Sequence, residues 1–400
     1  MKRFLRLAAL YLDVYVSPFI YGRLIKRTRR DTGEKQFSLL ISAPGAGNIG
    51  DQAMAESFME NVRGRIVIVT KNAEDVVVPV HCTERVHILP LPALIYGRIG
   101  RRHFLDMKQY AELLRGASSV SVVGADIMDG AYNPKASIRR SVVARASAES
   151  GVSTRILGFS WNGTAHHLAR RALTDAATRG VELFARDPLS YRRCKADGIP
   201  NVSLSADTVF CGTWENTSRL HGRQAIRGKR RALVNISAHV ENTVPQLANY
   251  DRILQKLDHD GFEVILVPHV SRPGSDDIAL AKQLAEFSGV ECTVLETLCH
   301  PSEVRALCSS ADLIFTGRMH LSIMGLSRGV PSIVMSTQGK VQGLTDFFPD
   351  CAFSVTPSRD FASEVVAIID ELVATPRRVS ADDLSRVSEL SEKNFQGLSN

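Results

Sequence analysis

From residue 36 onward the chain alternates short apolar runs with stretches of helical periodicity, and no other feature constrains the fold as much. Short apolar runs without a polar face suit strands buried on both sides, and such strands linked through helices build parallel sheets. The expected strands are Leu39–Ser42, Ile66–Thr70, Val86–Leu89, Ser119–Val123, Thr154–Phe159, Gly180–Ala185 and Ser203–Leu204. A polar, basic stretch from Trp214 to Arg231 then interrupts the pattern. A second set follows: Ala232–Ile236, Glu263–Val267, Thr293–Leu295, Leu313–Phe315 and Ser332–Met335. The fold class is therefore α/β, with two Rossmann-like parallel-sheet domains facing across a cleft. Residues 36–213 form the first domain, 214–231 a linker and 232–378 the second domain. Residues 1–35 are a basic amphipathic N-terminal segment, and 379–400 a polar helix with a ragged tail. Ligands of open parallel sheets sit beyond the carboxyl ends of the strands, so functional residues are sought there.

Composition narrows the classes. With 44% apolar and 23% charged residues over 400 positions, the chain reads as a globular protein large enough for two cores. Its seven cysteines show no C-x-x-C pair, and its histidines no H-E-x-x-H spacing, so reduced thiols in a cytoplasm are expected and no metal site. The net charge of +7 is confined to residues 1–30, where eight basic residues face Asp13 alone; the other 370 hold 41 basic and 41 acidic residues. A balanced body gives no sign of a nucleic-acid groove. The N-terminal run Leu7–Val16 is too short and interrupted to cross a bilayer. Apolar and aromatic residues between basic clusters suit a helix lying on an anionic membrane surface, in peripheral contact with the inner face of the cell membrane, or equally a helix packed on the protein with its arginines solvated. Deletion of residues 1–30 is expected to leave catalysis intact.

The first expected strand runs into Gly45-Ala-Gly-Asn-Ile-Gly50, a G-x-G-x-x-G pattern, with a helical stretch after it. Strand, glycine loop and helix aim backbone N–H groups at an anion. A dinucleotide site would also carry an acid at the end of the next strand, and here that strand ends in Thr70-Lys71-Asn72, where the lysine could tolerate a 2′-phosphate, so NADP is weakened and not excluded. Asp51 beside the last glycine would repel a pyrophosphate and could accept hydrogen bonds from a sugar; it could equally cap the helix.

The densest cluster of chemistry-bearing residues lies in Thr316-Gly-Arg-Met-His320, in the turn where the strand Leu313–Phe315 meets a helix. Arg318 offers a two-donor fork for phosphate or carboxylate, and His320 can transfer a proton near neutral pH. Lys340, after the next strand, could reach the same pocket. Together they suggest a small anionic substrate, whereas singly Arg318 could serve a domain-interface salt bridge and His320 a helix cap. Gly158-Phe-Ser-Trp-Asn-Gly163 is one residue too long for the G-x-S-x-G turn of serine hydrolases.

The block from Thr316 to Met335, followed by Gln338-Gly-Lys-Val-Gln-Gly-Leu344, resembles the C-terminal signature of the polysaccharide pyruvyl transferase family. Asn48-Ile-Gly-Asp51 resembles that family's N-terminal G-N-x-G-D loop, and Phe184-Ala-Arg-Asp-Pro-Leu-Ser190 its central R-D-x-x-S segment. The resemblance implies a glycosyltransferase-B-like fold and transfer of the enolpyruvyl unit of phosphoenolpyruvate to a sugar as a ketal. It implies a glycan acceptor, which the basic N-terminus would suit if lipid-linked, and no cofactor beyond phosphoenolpyruvate as co-substrate. His320 is then the candidate acid for C3, and Arg318, Arg186 and Lys340 the anion holders. Asp126 and Asp129 are candidate bases, with Asp51 a third. Asn48, Gly50, Asp51, Trp161 and Asn162 are expected on the acceptor side of the first domain. The segments Gly124–Gly130 and Gly158–Gly163 depart from the family's usual turns. A nucleotide-sugar glycosyltransferase, with Arg318 and Lys340 on a diphosphate, is the alternative.

Overall fold

The structure, a computed structural model, describes residues 2–28, 36–218, 228–241, 244–336 and 341–398. It divides into two compact units. The first holds residues 1–44, 54–208 and 389–400; the second holds 45–53 and 209–388.

Unit 1 is built on seven strands: β1 (Phe37–Ile41), β2 (Ile66–Thr70), β3 (Val86–Pro90), β4 (Ala117–Ala125), β5 (Ser153–Phe159), β6 (Glu182–Ala185) and β7 (Val202–Leu204). Their order is β3-β2-β1-β4-β5-β6-β7, parallel throughout, so the strand order reverses between β1 and β4. In unit 2, β8 (Arg230–Asn235), β9 (Phe262–Leu266), β12 (Cys292–Val294), β13 (Leu313–Thr316), β14 (Ser332–Met335) and β15 (Ala352–Val355) form a parallel sheet. Its order is β12-β9-β8-β13-β14-β15, with the reversal between β8 and β13. A short antiparallel hairpin, β10 (Ser271–Arg272) and β11 (Ser275–Asp276), follows β9. Each expected strand is present within two residues of its predicted ends. The unforeseen β15 is an edge strand whose middle residues, Phe353 and Ser354, are half-buried, so its apolar signal is weak.

Both chain ends are more firmly built in than the sequence suggests. Residues 2–28 fold as α1 (Lys2–Tyr15) and α2 (Ser17–Thr28), and Val14, Tyr21, Leu24 and Ile25 are buried in the core of unit 1. Asp13 and Arg139 form a buried ion pair at 2.9 Å, and Arg139 also donates to the Gly97 carbonyl at 2.9 Å. A segment that supplies core side chains and one half of a buried ion pair is part of the fold of unit 1, which is the packed-helix alternative and weighs against its deletion being harmless. The predicted tail is likewise ordered through Leu398. The helix Ala381–Glu392 leads into Asn394, fully buried in unit 1, whose Oδ1 accepts from the Gly158 N–H at 2.9 Å and whose Nδ2 donates to the Ala206 carbonyl at 3.0 Å. Among the described residues, no helix is long and apolar enough to cross a membrane.

Candidate active site

The glycine loop after β1 belongs to unit 2, and its glycines serve close backbone approach. Gly47 has φ +71°, and a Cβ on it would lie 2.2 Å from the Ser271 carbonyl oxygen. The Ser271 N–H donates to the Gly47 carbonyl at 2.9 Å, and the Ile49 N–H to the His269 carbonyl at 3.1 Å. The loop thus pairs with the chain that leaves β9. The Asn48 side chain opens α3 (Ile49–Asn61): its Oδ1 accepts from the Gly50 N–H at 3.0 Å, and its Nδ2 donates to Asp51 at 2.8 Å. Gly50 lies directly under His320, because a Cβ there would come within 2.3 Å of the imidazole Nδ1. Two motifs 270 residues apart in sequence are therefore in van der Waals contact.

The other half of this cluster grows from the reversal point of the unit 2 sheet. Thr316 ends β13, and its Oγ1 accepts from the Arg318 N–H at 2.9 Å, turning the chain into the helix Met319–Leu326. Gly317 is required there, since a Cβ would lie 2.5 Å from that of Ser237, just past β8. Arg318 donates from Nε and Nη2 to the two oxygens of Asp277 at 3.1 and 2.7 Å, and from Nη2 to Ser275 Oγ at 2.9 Å. Asp277 is wholly buried and also accepts from Asn235 Nδ2 and from the backbone N–H groups of Ala238, His269 and Val270. So many donors stabilise its charge, and a bidentate grip fixes the arginine. Among the described residues the remaining Arg318 nitrogen, Nη1, has no hydrogen-bond partner, and the side chain is 16% exposed. One edge of the guanidinium is thus aimed and committed.

His269 completes the group and was missed in the sequence. It is 1% exposed, and neither ring nitrogen has a partner among the described residues. Burial above all, then His320 and Arg318 nearby, pushes its pKa well below the ordinary histidine value, so it is neutral at pH 7. Its position after β9 was a usable signal, because it obeys the same strand-end rule as Arg318. Asp277 had no such signal: it opens a helix and gains its role only through contacts. Lys340 lies outside the described residues.

Unit 1 holds a second cluster at the strand ends, built around the buried Arg186. Arg186, after β6, donates from Nε to Ser160 Oγ at 2.7 Å, from Nη1 to Asp207 at 2.9 Å and from Nη2 to Asp126 at 2.5 Å. Burial opposes its charge, yet Asp126, Asp207 and Asp187 together raise its pKa above the ordinary value. Arg186, expected as an anion holder, here directs its donors to Ser160, Asp207 and Asp126. Asp126 is the partly exposed member; Ala125 before it holds φ +47°, an unusual conformation for alanine. Asp129 is fully buried, and its Oδ1 accepts from the Ala131 N–H at 2.9 Å, so it holds a turn. Trp161 is 1% exposed, packed edge-on to Phe159, with its indole N–H donating to Asp197 at 2.7 Å. It is a core residue and not a sugar platform. Asn162, partly exposed, accepts from the Thr164 N–H at 3.2 Å. Asn48, Gly50 and Asp51, expected with these residues, lie instead with Arg318 and His320. Among the described residues no group of three or more His, Cys, Asp or Glu side chains is placed to hold a metal ion.

The family model described as polysaccharide pyruvyl transferase matches residues 48–339, from the Asn48 loop through the Arg318–His320 block. No curated protein matches the chain. Solved structures match along nearly its whole length. The UDP-GlcNAc 2-epimerase of Methanocaldococcus jannaschii superposes with TM-score 0.56 at 12% identity, covering 90% of this chain and 98% of that one. A protein from Anabaena in complex with UDP and glucose gives TM-score 0.54 at 12% identity, with coverages of 90% and 96%. The UDP-GlcNAc 2-epimerase of Neisseria meningitidis bound to UDP-GlcNAc gives 0.52 at 10%, with coverages of 90% and 95%. At such identities the likeness establishes the fold, which is glycosyltransferase-B-like.

Proposed function

The chain belongs to the polysaccharide pyruvyl transferase family, and from that premise we propose that it transfers the enolpyruvyl unit of phosphoenolpyruvate to two hydroxyls of a glycan, releasing phosphate. The observation that carries this reading is the contact between Gly50 and His320 beside an Arg318 already locked by Asp277. It sets a proton carrier next to an anchored cation and the N-terminus of a helix.

Ketal formation has definite needs. A proton must reach C3 of the enol, turning the methylene into a methyl and leaving C2 cationic. One sugar hydroxyl then adds to C2 and loses its proton. Phosphate departs with the C2–O electron pair, and the second hydroxyl adds to the regenerated cation and loses its proton. In this scheme His320 delivers the proton to C3. Arg318 Nη1 holds a negatively charged oxygen of the donor, its orientation fixed by Asp277. Neutral His269, buried near both, adds no further positive charge beside His320. Asp51 is the loop carboxylate in the same unit and is assigned the hydroxyl proton, in preference to Asp126 and Asp129.

Phosphate release that depends on both phosphoenolpyruvate and a glycan acceptor, and is unaffected by chelator, is the expected activity. His320→Asn should still bind phosphoenolpyruvate while turnover falls by roughly 10²–10⁴, the usual share of general acid catalysis. In D₂O the wild type should place solvent deuterium in the ketal methyl group. Stabilisation by UDP or a nucleotide sugar, with none by phosphoenolpyruvate, would transfer the assignment to a glycosyltransferase.

A further inference from the structure

The outer faces of α1 and α2 are not covered by unit 1. Leu7, Tyr11, Leu12 and Tyr15 recur at helical spacing along one stripe of α1, and each is more than two-fifths exposed. The Tyr11 and Tyr15 rings stack, with centroids 5.9 Å apart. On α2, Phe19 is 75% exposed and shares its stripe with Arg23 and Lys26. The opposite stripes are anchored in the core through Val14, Tyr21, Leu24 and Ile25, so this face is held rigid. A shallow groove joins Phe19, Arg23 and Lys26 to Arg145 and Arg179. Its one carboxylate, Glu149, is held between Arg145 and Arg179 at 2.9 Å each.

We infer that α1 and α2 form a docking face for an anionic lipid bilayer, with the tyrosines, Leu12 and Phe19 entering the headgroup–acyl boundary and Arg23 and Lys26 pairing with lipid phosphates. Aromatic rings with a polar tip favour that boundary, and long basic side chains reach from it to the headgroups. Charge selects the occupant. The four cations outnumber the two carboxylates paired with Arg145 and Arg179, Glu149 and Asp175, and Arg23 and Lys26 add their charge to a surface that complements a negative one. In a symmetric pair of copies through this same face, those cations would oppose one another. The face is independent of the assignment of the reaction, since none of its residues belongs to the Arg318–His320 cluster.

The test is co-sedimentation of the full chain with vesicles of phosphatidylcholine alone or with one-quarter phosphatidylglycerol, at low and high salt. Binding to the phosphatidylglycerol vesicles, weakened by salt, is expected. Each basic residue at an anionic surface contributes about fivefold in partitioning, so Arg23→Gln/Lys26→Gln should bind roughly 25-fold more weakly. Tyr11→Ser/Phe19→Ser should lose binding while melting at the wild-type temperature, because these side chains make little contact with the core. Equal affinity for both vesicle types, or wild-type binding by either variant, overturns the inference. So does a dimer of the wild type that Tyr11→Ser/Phe19→Ser converts to monomer, which would make the face an interface between copies.

Discussion

Adding a single methyl group at Gly50 probes the central contact of the proposed site. The Cβ of Gly50→Ala would stand 2.3 Å from His320 Nδ1, 2.7 Å from Cγ and 3.1 Å from Cβ, whereas ordinary contact begins at 3.4 Å. The imidazole must therefore retreat by about an ångström, and the close approach to its own Cβ prevents a simple ring rotation from relieving the clash. Overpacking of this kind costs about 1–3 kcal/mol. Alanine in place of glycine within a helix returns up to ~1 kcal/mol, so the net destabilisation should be about 0–3 kcal/mol. Displacing a reacting group by an ångström, in contrast, costs on the order of 10²-fold in rate. The expected outcome is a folded variant with a melting temperature within a few degrees of wild type and turnover reduced about a hundredfold, read by phosphoenolpyruvate-dependent phosphate release. In a His320→Ala background the same substitution should have no further effect on rate, because the two sites act through one contact. Turnover of Gly50→Ala within threefold of wild type would refute the placement of His320 at the reacting carbon.

Other perturbations separate structure from chemistry. Arg186→Met should unfold unit 1 at a markedly lower temperature, since it leaves Asp126 and Asp207 without their shared cation, at a cost of roughly 3–5 kcal/mol; a stable variant with only a raised KM for phosphoenolpyruvate would mark Arg186 as an anion holder. Asp13→Ala should destabilise by a similar ~3–5 kcal/mol by stranding Arg139, measurable by denaturant titration, and its effect should show that α1 is part of the fold. His103 is held down to about 4 by burial and by Arg139, against an opposing hydrogen bond to the Ala93 carbonyl. The unfolded chain therefore binds a proton at this position near pH 6.5 that the folded chain refuses until about pH 4. Stability should fall as pH drops through that window, by up to roughly 3 kcal/mol from this residue, and His103→Gln should flatten the profile between pH 7 and 4.5 by that amount.

The strands were legible because burial on both faces leaves an uninterrupted apolar run, a signal carried by neighbouring residues. Arg318 and His320 were legible for a related reason: a strand end followed by a helix start places any side chain between them at the sheet's carboxyl edge. Trp161 and Arg186 meet that same rule and yet direct their donors to protein groups. The rule gives position along the chain, and only the partners of a side chain decide whether it faces a ligand. Asp197 takes the indole N–H of Trp161, and Asp126, Asp207 and Ser160 take the donors of Arg186. Nothing local in the sequence announces those pairings.

What the sequence by itself determined is the class of fold, the location of the strand-end loops and the family to which the motifs point, because each rests on periodicity or on the order of short motifs along the chain. The tertiary structure alone decided which loops act together. The Gly47–Asp51 turn follows a strand of unit 1 but pairs with His269 and Ser271 and seats His320 on Gly50, in unit 2. Likewise the last residues of the chain, Glu389 onward, return to unit 1. The physical reason is that hydrogen bonds and close packing act over a few ångströms in space and are indifferent to separation along the chain. A glycine can therefore be demanded by a histidine 270 residues away, with no trace of that demand in either neighbourhood.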